Sequence, residues 1–204
     1  QYVGLDNKVH DGLRVEDLVS YARSIGAEPM IEINLKGWAP DENTGLAEAC
    51  MDEHDAADLV KYLNDELQLG VKYFFMDNEF ECWHQSCWQN WPDPCSADQY
   101  IDLFAKAALA MKAAQEEISG DAQDIQIIGP EISSSFSDYM TNVEGETYGG
   151  LESFPPYFLS RCAELEYDTE FNPEAYRLLD IFSFHLYPAF RTNYQDMYSF
   201  VPLE

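Results

Sequence analysis

The segment Tyr73-Phe74-Phe75-Met76-Asp77-Asn78-Glu79 is an apolar run that stops abruptly on an amide followed by a carboxylate. A carboxyl fixed at the end of a buried strand is placed to donate or accept a proton, because residues just past the C-terminal end of a parallel strand line the mouth of a β/α site. Glu79 is therefore the candidate catalytic acid, with Asn78 as its neighbour in the site. The competing reading is that Asp77, Asn78 and Glu79 cap a helix that follows, a common use of Asx and acidic residues. Related residue types recur after other apolar runs, as Gly37-Trp38, Pro130-Glu131, and His185 with Tyr187-Pro188. Strand ends that present carboxylates, an imidazole and aromatic faces suit proton transfer beside a sugar-like ligand, since aromatic rings pack against apolar C–H faces.

Glu131 follows the rigid pair Gly129-Pro130 and is either a second carboxylate of the site or a cap on the Ser133-Ser134-Ser135 turn; it is assigned to ligand binding. His185 and Tyr187 would orient the carboxylates or the ligand, the alternative for His185 being a satisfied core histidine. Trp38 and Trp83, with Trp88 and Trp91, read as stacking platforms, although Trp88 and Trp91 read equally well as the small core of their own loop. No metal is expected. Counting a calcium-binding loop from Asp41 puts Leu46 where glycine is required and Asp52 where a bidentate glutamate is required. Asp41, Asn43 and the cluster Asp52-Glu53-His54-Asp55 read instead as a solvated acidic face and a helix N-terminus. Nor is a cofactor expected, for no G-x-G-x-x-G follows the first strand and no G-x-x-x-x-G-K-S/T occurs to cradle a phosphate.

The elements that must position these groups alternate. Val15 to Ile25 has apolar residues at helical spacing and ends at Gly26, after which Pro29 to Leu35 is short and strand-like. Ala56 to Leu67 repeats the helical pattern, stops near Gly70 and leads into the strand Tyr73 to Met76. Ser96 caps a long Ala-rich helix through Ile118 to Gly120, ahead of a strand at Ile125 to Ile128. Phe154 to Leu165 opens on a Pro pair suited to a first helical turn, and Ile181 to Leu186 is the last strand. Alternation of this kind predicts an α/β fold with a parallel sheet and helical crossovers. An open doubly wound sheet and a closed (β/α)8 TIM barrel share the order, and polar residues at successive strand ends favour the barrel. The chain is read as one domain over 1–204 carrying about four central β/α units of a partial barrel, with a Cys/Trp-rich loop insertion at 80–95. A barrel needs eight units, so the remaining segments of the same barrel, or another chain, are expected to supply the first two strands and the last two.

With 204 residues, 46% apolar and 14% aromatic, the chain can bury one sizeable core and is not disordered as a whole. Its 11 basic and 38 acidic residues give a formal charge of −27, which repels nucleic-acid phosphates and anionic lipid headgroups. Neither nucleic acid nor membrane is therefore an expected partner, and an acidic excess spread along the chain suits solubility at high ionic strength. Cys82, Cys87 and Cys95 share one Trp- and Pro-rich loop, whereas Cys50 and Cys162 stand apart. Their spacings are wider than C-x2-C, which favours disulfides over zinc, and disulfides persist mainly outside the cytosol, so a secreted protein is expected. Five cysteines leave at least one unpaired or paired beyond the chain. Without a signal peptide or a membrane-length apolar run, the expectation is of a mature or trimmed sequence.

Asp77-Asn78-Glu79 with Trp83, preceded by its apolar strand, resembles the acid/base segment of the retaining glycoside hydrolase clan built on β/α barrels. Joined in order to Gly37-Trp38, Gly129-Pro130 and the run from Asp180 to Pro188, it is most similar to glycoside hydrolase family 44, the endoglucanases and xyloglucanases, from about Glu28 to Pro188. Arabinofuranosidase-type families share the style of entry at Ile25-Gly26-Ala27-Glu28-Pro29-Met30. Two departures stand out: Phe80 occupies the place of the family's usual proline, and no segment before Glu204 matches the nucleophilic glutamate after the clan's seventh strand. The resemblance implies a secreted glycosidase cleaving β-linked plant or algal polysaccharide, of β-glucan or xyloglucan type, by retaining double displacement. Glu79 would be its general acid/base, Asn78 would contact a sugar hydroxyl, and the nucleophile would lie outside this chain. Trp38, Trp83, Glu131, His185 and Tyr187 would bind the polysaccharide or oligosaccharide, with no cofactor or metal. The alternatives are a catalytically inactive carbohydrate-binding or structural extracellular domain that retains the barrel, and an unrelated open-sheet α/β enzyme.

Overall fold

The computed structural model describes residues 12, 14–35, 53–80, 96–132, 148–151 and 153–185, and the backbone alone at 2–3 and 9–10. Two short strands that the apolar pattern does not reveal, β1 (Tyr2–Val3) and β2 (Val9–His10), pair antiparallel. Each spans two residues, too few for a period-2 pattern to register. Helix α1 (Val15–Ser24) carries Glu16 and Asp17 in its first turn and Arg23 in its last, signs that complement the helix dipole. It ends where expected: Gly26 takes a φ of 78°, which lets the Ala27 amide reach back to the Ala22 carbonyl at 2.9 Å.

From there helix and strand alternate as predicted, through β3 (Met30–Ile33), α2 (Glu53–Lys61), β4 (Tyr73–Met76), α3 (Ala97–Ser119), β5 (Gln126–Ile132), α4 (Phe154–Tyr167) and β6 (Ile181–Phe184). α2 starts before the predicted Ala56, with Glu53 and Asp55 exposed in its first turn, and it closes in a π-helical turn, Tyr62–Glu66. Part of the acidic cluster thus lies where the helix dipole favours negative charge. α3 opens on a capping box: the Ser96 hydroxyl accepts from the Gln99 amide at 3.1 Å, and the Gln99 side chain accepts from the Ser96 amide at 2.9 Å. A short 3-10 turn, Ala122–Asp124, links α3 to β5.

Strands β3 to β6 form one parallel sheet in the order β3-β4-β5-β6. Neighbours in space are neighbours in sequence, and the described strands show no reversal of the kind that defines a doubly wound sheet. Along one side of the sheet α2 packs on α3 and α3 on α4. Strand alternation sends Ile33, Phe74, Met76 and Ile127 into that layer, all fully buried. They meet Tyr100, Phe104, Ala108 and Met111, a stripe at helical spacing along α3. Lys112 is buried with them. The Lys112 ammonium sits 2.8 Å from Asp180 and donates to the Ile125 carbonyl at 2.8 Å, while Asp180 also accepts from the Ile127 amide at 2.8 Å. Burial lowers the lysine's pKa, against the raising effect of Asp180.

The principal departure from expectation is β5, which continues past Ile128 through the Gly129–Pro130 cis peptide to Ile132. A Cβ on Gly129 would lie 2.6 Å from the Phe104 ring, so glycine lets α3 close onto the strand here. Glu131 consequently lies within a strand and not in the loop after one.

Candidate active site at the carboxyl ends of the strands

Glu79, Glu131 and His185 come from three adjacent strands, and the last residues of β5 hold the other two in place. The Glu131 carbonyl accepts from the Glu79 amide at 2.9 Å, and the Ile132 carbonyl accepts from the His185 amide at 2.8 Å. A register shift between Gly129 and Ile132 puts an extra residue into β5 opposite β6, a bulge of the kind that re-aims side chains. The Glu131 amide finds the Ser183 hydroxyl at 3.3 Å in place of a ladder partner. The side chains then converge: His185 Nδ1 is 2.7 Å from Glu79 Oε1, and Nε2 is 3.0 Å from Glu131 Oε2. Burial by itself would lower the imidazole's pKa, but the Glu79 and Glu131 carboxylates outweigh it and hold the group above its ordinary value. The three side chains remain partly open, at 25% for Glu79, 13% for Glu131 and 23% for His185.

Three residues here have left-handed backbones, Asp77 at φ 63°, Glu79 at 49° and Glu131 at 51°. Such conformations cost non-glycine residues on the order of 1–3 kcal/mol each and persist only where surroundings over-determine them. The surroundings are visible. Asp77 is buried, and its carboxylate accepts from the Leu35 amide at 2.8 Å and from the Asn78 amide at 2.7 Å, while its own amide donates to the Ile33 carbonyl at 2.8 Å. Asp77 is thus a clamp between the ends of β3 and β4.

Phe80, the residue in place of the resembling family's proline, is buried and stacks on Tyr100 with ring centroids 4.0 Å apart. Tyr100 in turn donates from its hydroxyl to the Met76 carbonyl at 2.9 Å and stands 3.3 Å from the Pro130 carbonyl, joining the ends of β4 and β5. Phe154 closes on Phe80 at 4.8 Å. Sequence reasoning gave no site role to Tyr100 or Ser183, and took Asp77 as a possible helix cap and Phe80 as a departure from the family. The spacing of Tyr100 and Phe104, one helical turn apart on α3, was the available signal for the aromatic layer.

Of the residues singled out in the sequence, Glu79, Glu131 and His185 are brought together, with Asn78 exposed beside them. Trp38, Trp83, Trp88, Trp91 and Tyr187 lie outside the described residues, as do Cys50, Cys82, Cys87, Cys95, Asp41, Asn43, Asp52 and the Ser133-Ser134-Ser135 turn. Cys162 is a buried free thiol, whose pKa burial raises to about 12. Among the described residues no group of three His, Cys, Asp or Glu side chains is disposed to hold a metal ion. No described helix is long and apolar enough to cross a membrane.

A parallel α/β sheet with carboxylates and an imidazole gathered at the carboxyl ends of its strands places the chain among proteins that build polar sites on that rim. It belongs to glycoside hydrolase family 44, whose model matches residues 26–190. Solved structures agree in fold. A Paenibacillus polymyxa xyloglucanase of family 44 is 19% identical, with a TM-score of 0.60 over 85% of this chain and 38% of its own. A bifunctional glucanase-xylanase from a metagenome library is 18% identical, with a TM-score of 0.62 over 85% and 43%. A Paenibacillus polymyxa family 44 xyloglucanase structure with xyloglucan is 17% identical, at 0.60 over 85% and 38%. The chain thus spans about two fifths of the length of these structures. No curated protein sequence matches it.

Proposed function

We propose that this chain is the part of a (β/α)8 barrel glycosidase that carries the acid/base, in a protein cleaving β-glucan or xyloglucan-type polysaccharide by retaining double displacement. The observation that carries the reading is Glu79 at the end of β4, its carboxylate met at 2.7 Å by His185, inside the stretch that matches the family. Breaking an acetal requires one carboxyl to protonate the leaving oxygen and another to trap the oxocarbenium-like centre. Glu79 takes the first part, and in the second half-reaction the resulting carboxylate draws a proton from the attacking water. The nucleophile belongs to a segment outside this chain. Glu131 does not serve, because the His185 ring fills the space between it and Glu79 that a glycosidic bond would have to enter.

Asn78, exposed next to Glu79, contacts a sugar hydroxyl, while Trp38, Trp83 and Tyr187 supply stacking faces and contacts to the sugar. The unreversed strand order supports the barrel, and a charge of −27 supports a neutral polysaccharide over a polyanion. Secretion is supported by Cys82, Cys87 and Cys95 within one short loop, read as disulfide-bonded.

The test is Glu79→Gln in the whole protein, assayed for reducing sugar on β-glucan, xyloglucan and xylan. Turnover should fall by about 10²- to 10⁴-fold with glycan binding and melting temperature nearly unchanged. Unchanged turnover in the variant removes Glu79 from the role, and a wild-type protein that releases sugar from none of the three overturns the glycosidase reading.

A further inference from the structure

We propose that Glu131 is a positioning residue that keeps the proton of neutral His185 on Nε2, turns the Nδ1 lone pair toward Glu79, and so makes the imidazole the proton partner of the candidate acid. The inference deepens the glycosidase reading and rests on it for its consequence, but the arrangement itself stands on geometry. Glu131 is pinned by its backbone: its amide meets Ser183, its carbonyl receives the Glu79 amide, and its φ of 51° aims the side chain at the ring. An ionised carboxylate only accepts hydrogen bonds, so the ring nitrogen facing it must carry a proton. With Nε2 committed at 3.0 Å to Glu131, Nδ1 is the nitrogen left to exchange a proton with Glu79 at 2.7 Å.

The proton count closes. In one form both carboxylates are ionised and the imidazolium donates to each. In the other, the Nδ1 proton has moved to Glu79 Oε1, leaving a neutral imidazole and a carboxylic acid. Both forms carry a net charge of −1, so moving the proton needs no charge from outside. When Glu79 gives its proton to a leaving oxygen the group is short by one, and water entering in the second half-reaction restores it. Among the described residues, Glu79 on the β4 side and Glu131 on β5 are the charges that raise the imidazole's pKa. From β6 itself comes the neutral Ser183, the Asp77 carboxylate is turned to the Leu35 and Asn78 amides, and the Tyr100 hydroxyl of α3 is turned to backbone carbonyls.

The experiment is NMR titration of the whole protein labelled with 15N-histidine, the His185 signals being assigned with His185→Gln. The wild type should titrate above the ordinary 6.5 and, above its midpoint, show the Nε2–H tautomer. Glu131→Gln should move that titration down by about one pH unit or more, and the alkaline limb of glycan turnover with it. The Nδ1–H tautomer in the wild type, or a titration that Glu131→Gln leaves in place, overturns the proposal. The tautomer measurement needs no variant to fold and no turnover to be present. A protein that hydrolyses no glycan yet shows the expected titration therefore loses the glycosidase reading and keeps the Glu131–His185 arrangement. Active protein whose His185 titration and alkaline limb ignore Glu131→Gln keeps the glycosidase reading and loses the arrangement.

Discussion

Three residues with a left-handed backbone gather at this site, while Gln68 and Ala175 adopt that conformation elsewhere. Asp77 and Glu79 alternate with Asn78 in that conformation after β4, and Glu131 matches them across the sheet. Asp77 holds the pair by accepting from the Leu35 and Asn78 amides while almost wholly buried. Asp77→Ala should cost about 2–3 kcal/mol, since the buried Leu35 amide loses its acceptor and alanine tolerates a positive φ poorly. Urea denaturation of the whole protein measures this, and a change below about 0.5 kcal/mol would mean that the amide had found another acceptor. Glu79 and Asn78 were legible from their place at the end of an apolar run. Asp77 was not, because a buried clamp and a helix cap use the same residue type within the same short sequence.

At the scale of elements, the site depends on how closely α3 lies on β5. Tyr100 ties the ends of β4 and β5, and Gly129 lets the Phe104 ring sit where a side chain would otherwise stand. Gly129→Ala should destabilise by roughly 1–3 kcal/mol, because the new methyl meets the side chain of a fully buried phenylalanine, and should also reduce turnover by displacing Glu131 two residues on. Adding Phe104→Leu should recover part of the melting temperature; no recovery would locate the strain elsewhere. Phe80 belongs to the same layer. Sequence reading counted it as a departure from the family, but stacked on Tyr100 it secures the residue after Glu79 by packing, where a proline would do so by restricting the backbone. The alternation of helices and strands was legible from α1 to β6. The reach of β5 was not, since Gly129 and Pro130 are read as punctuation unless a neighbouring helix is known to need the space.

For the molecule as a whole, charge sets the conditions. A formal charge of −27 in 204 residues opposes compaction, and raising the salt from about 0.1 M to 1 M shortens the screening length from about 10 Å to 3 Å. The melting temperature of the whole protein should therefore rise by several degrees across that range. A fall would show that attractive ion pairs outweigh the repulsion. The described ion pairs make a rise the expected result, for Lys61–Glu117 and Lys106–Asp102 are surface pairs of little net worth, and the buried Lys112–Asp180 pair is shielded from salt.

From the sequence alone came what depends on local pattern: the α/β alternation, the parallel sheet, the carboxylates at strand ends and the likeness to family 44. Glu79, Glu131 and His185 were each identifiable as candidates because residue type and position after an apolar run are local properties. Their arrangement was decided only by the tertiary structure. Glu79 and Glu131 are 52 positions apart and Glu131 and His185 are 54 apart, and they meet because the sheet sets their strands side by side. A one-residue bulge in β5 lies where Glu131 turns to the imidazole, and around it Gly129 packs against Phe104 and the Glu131 amide meets Ser183, contacts between segments distant in the chain.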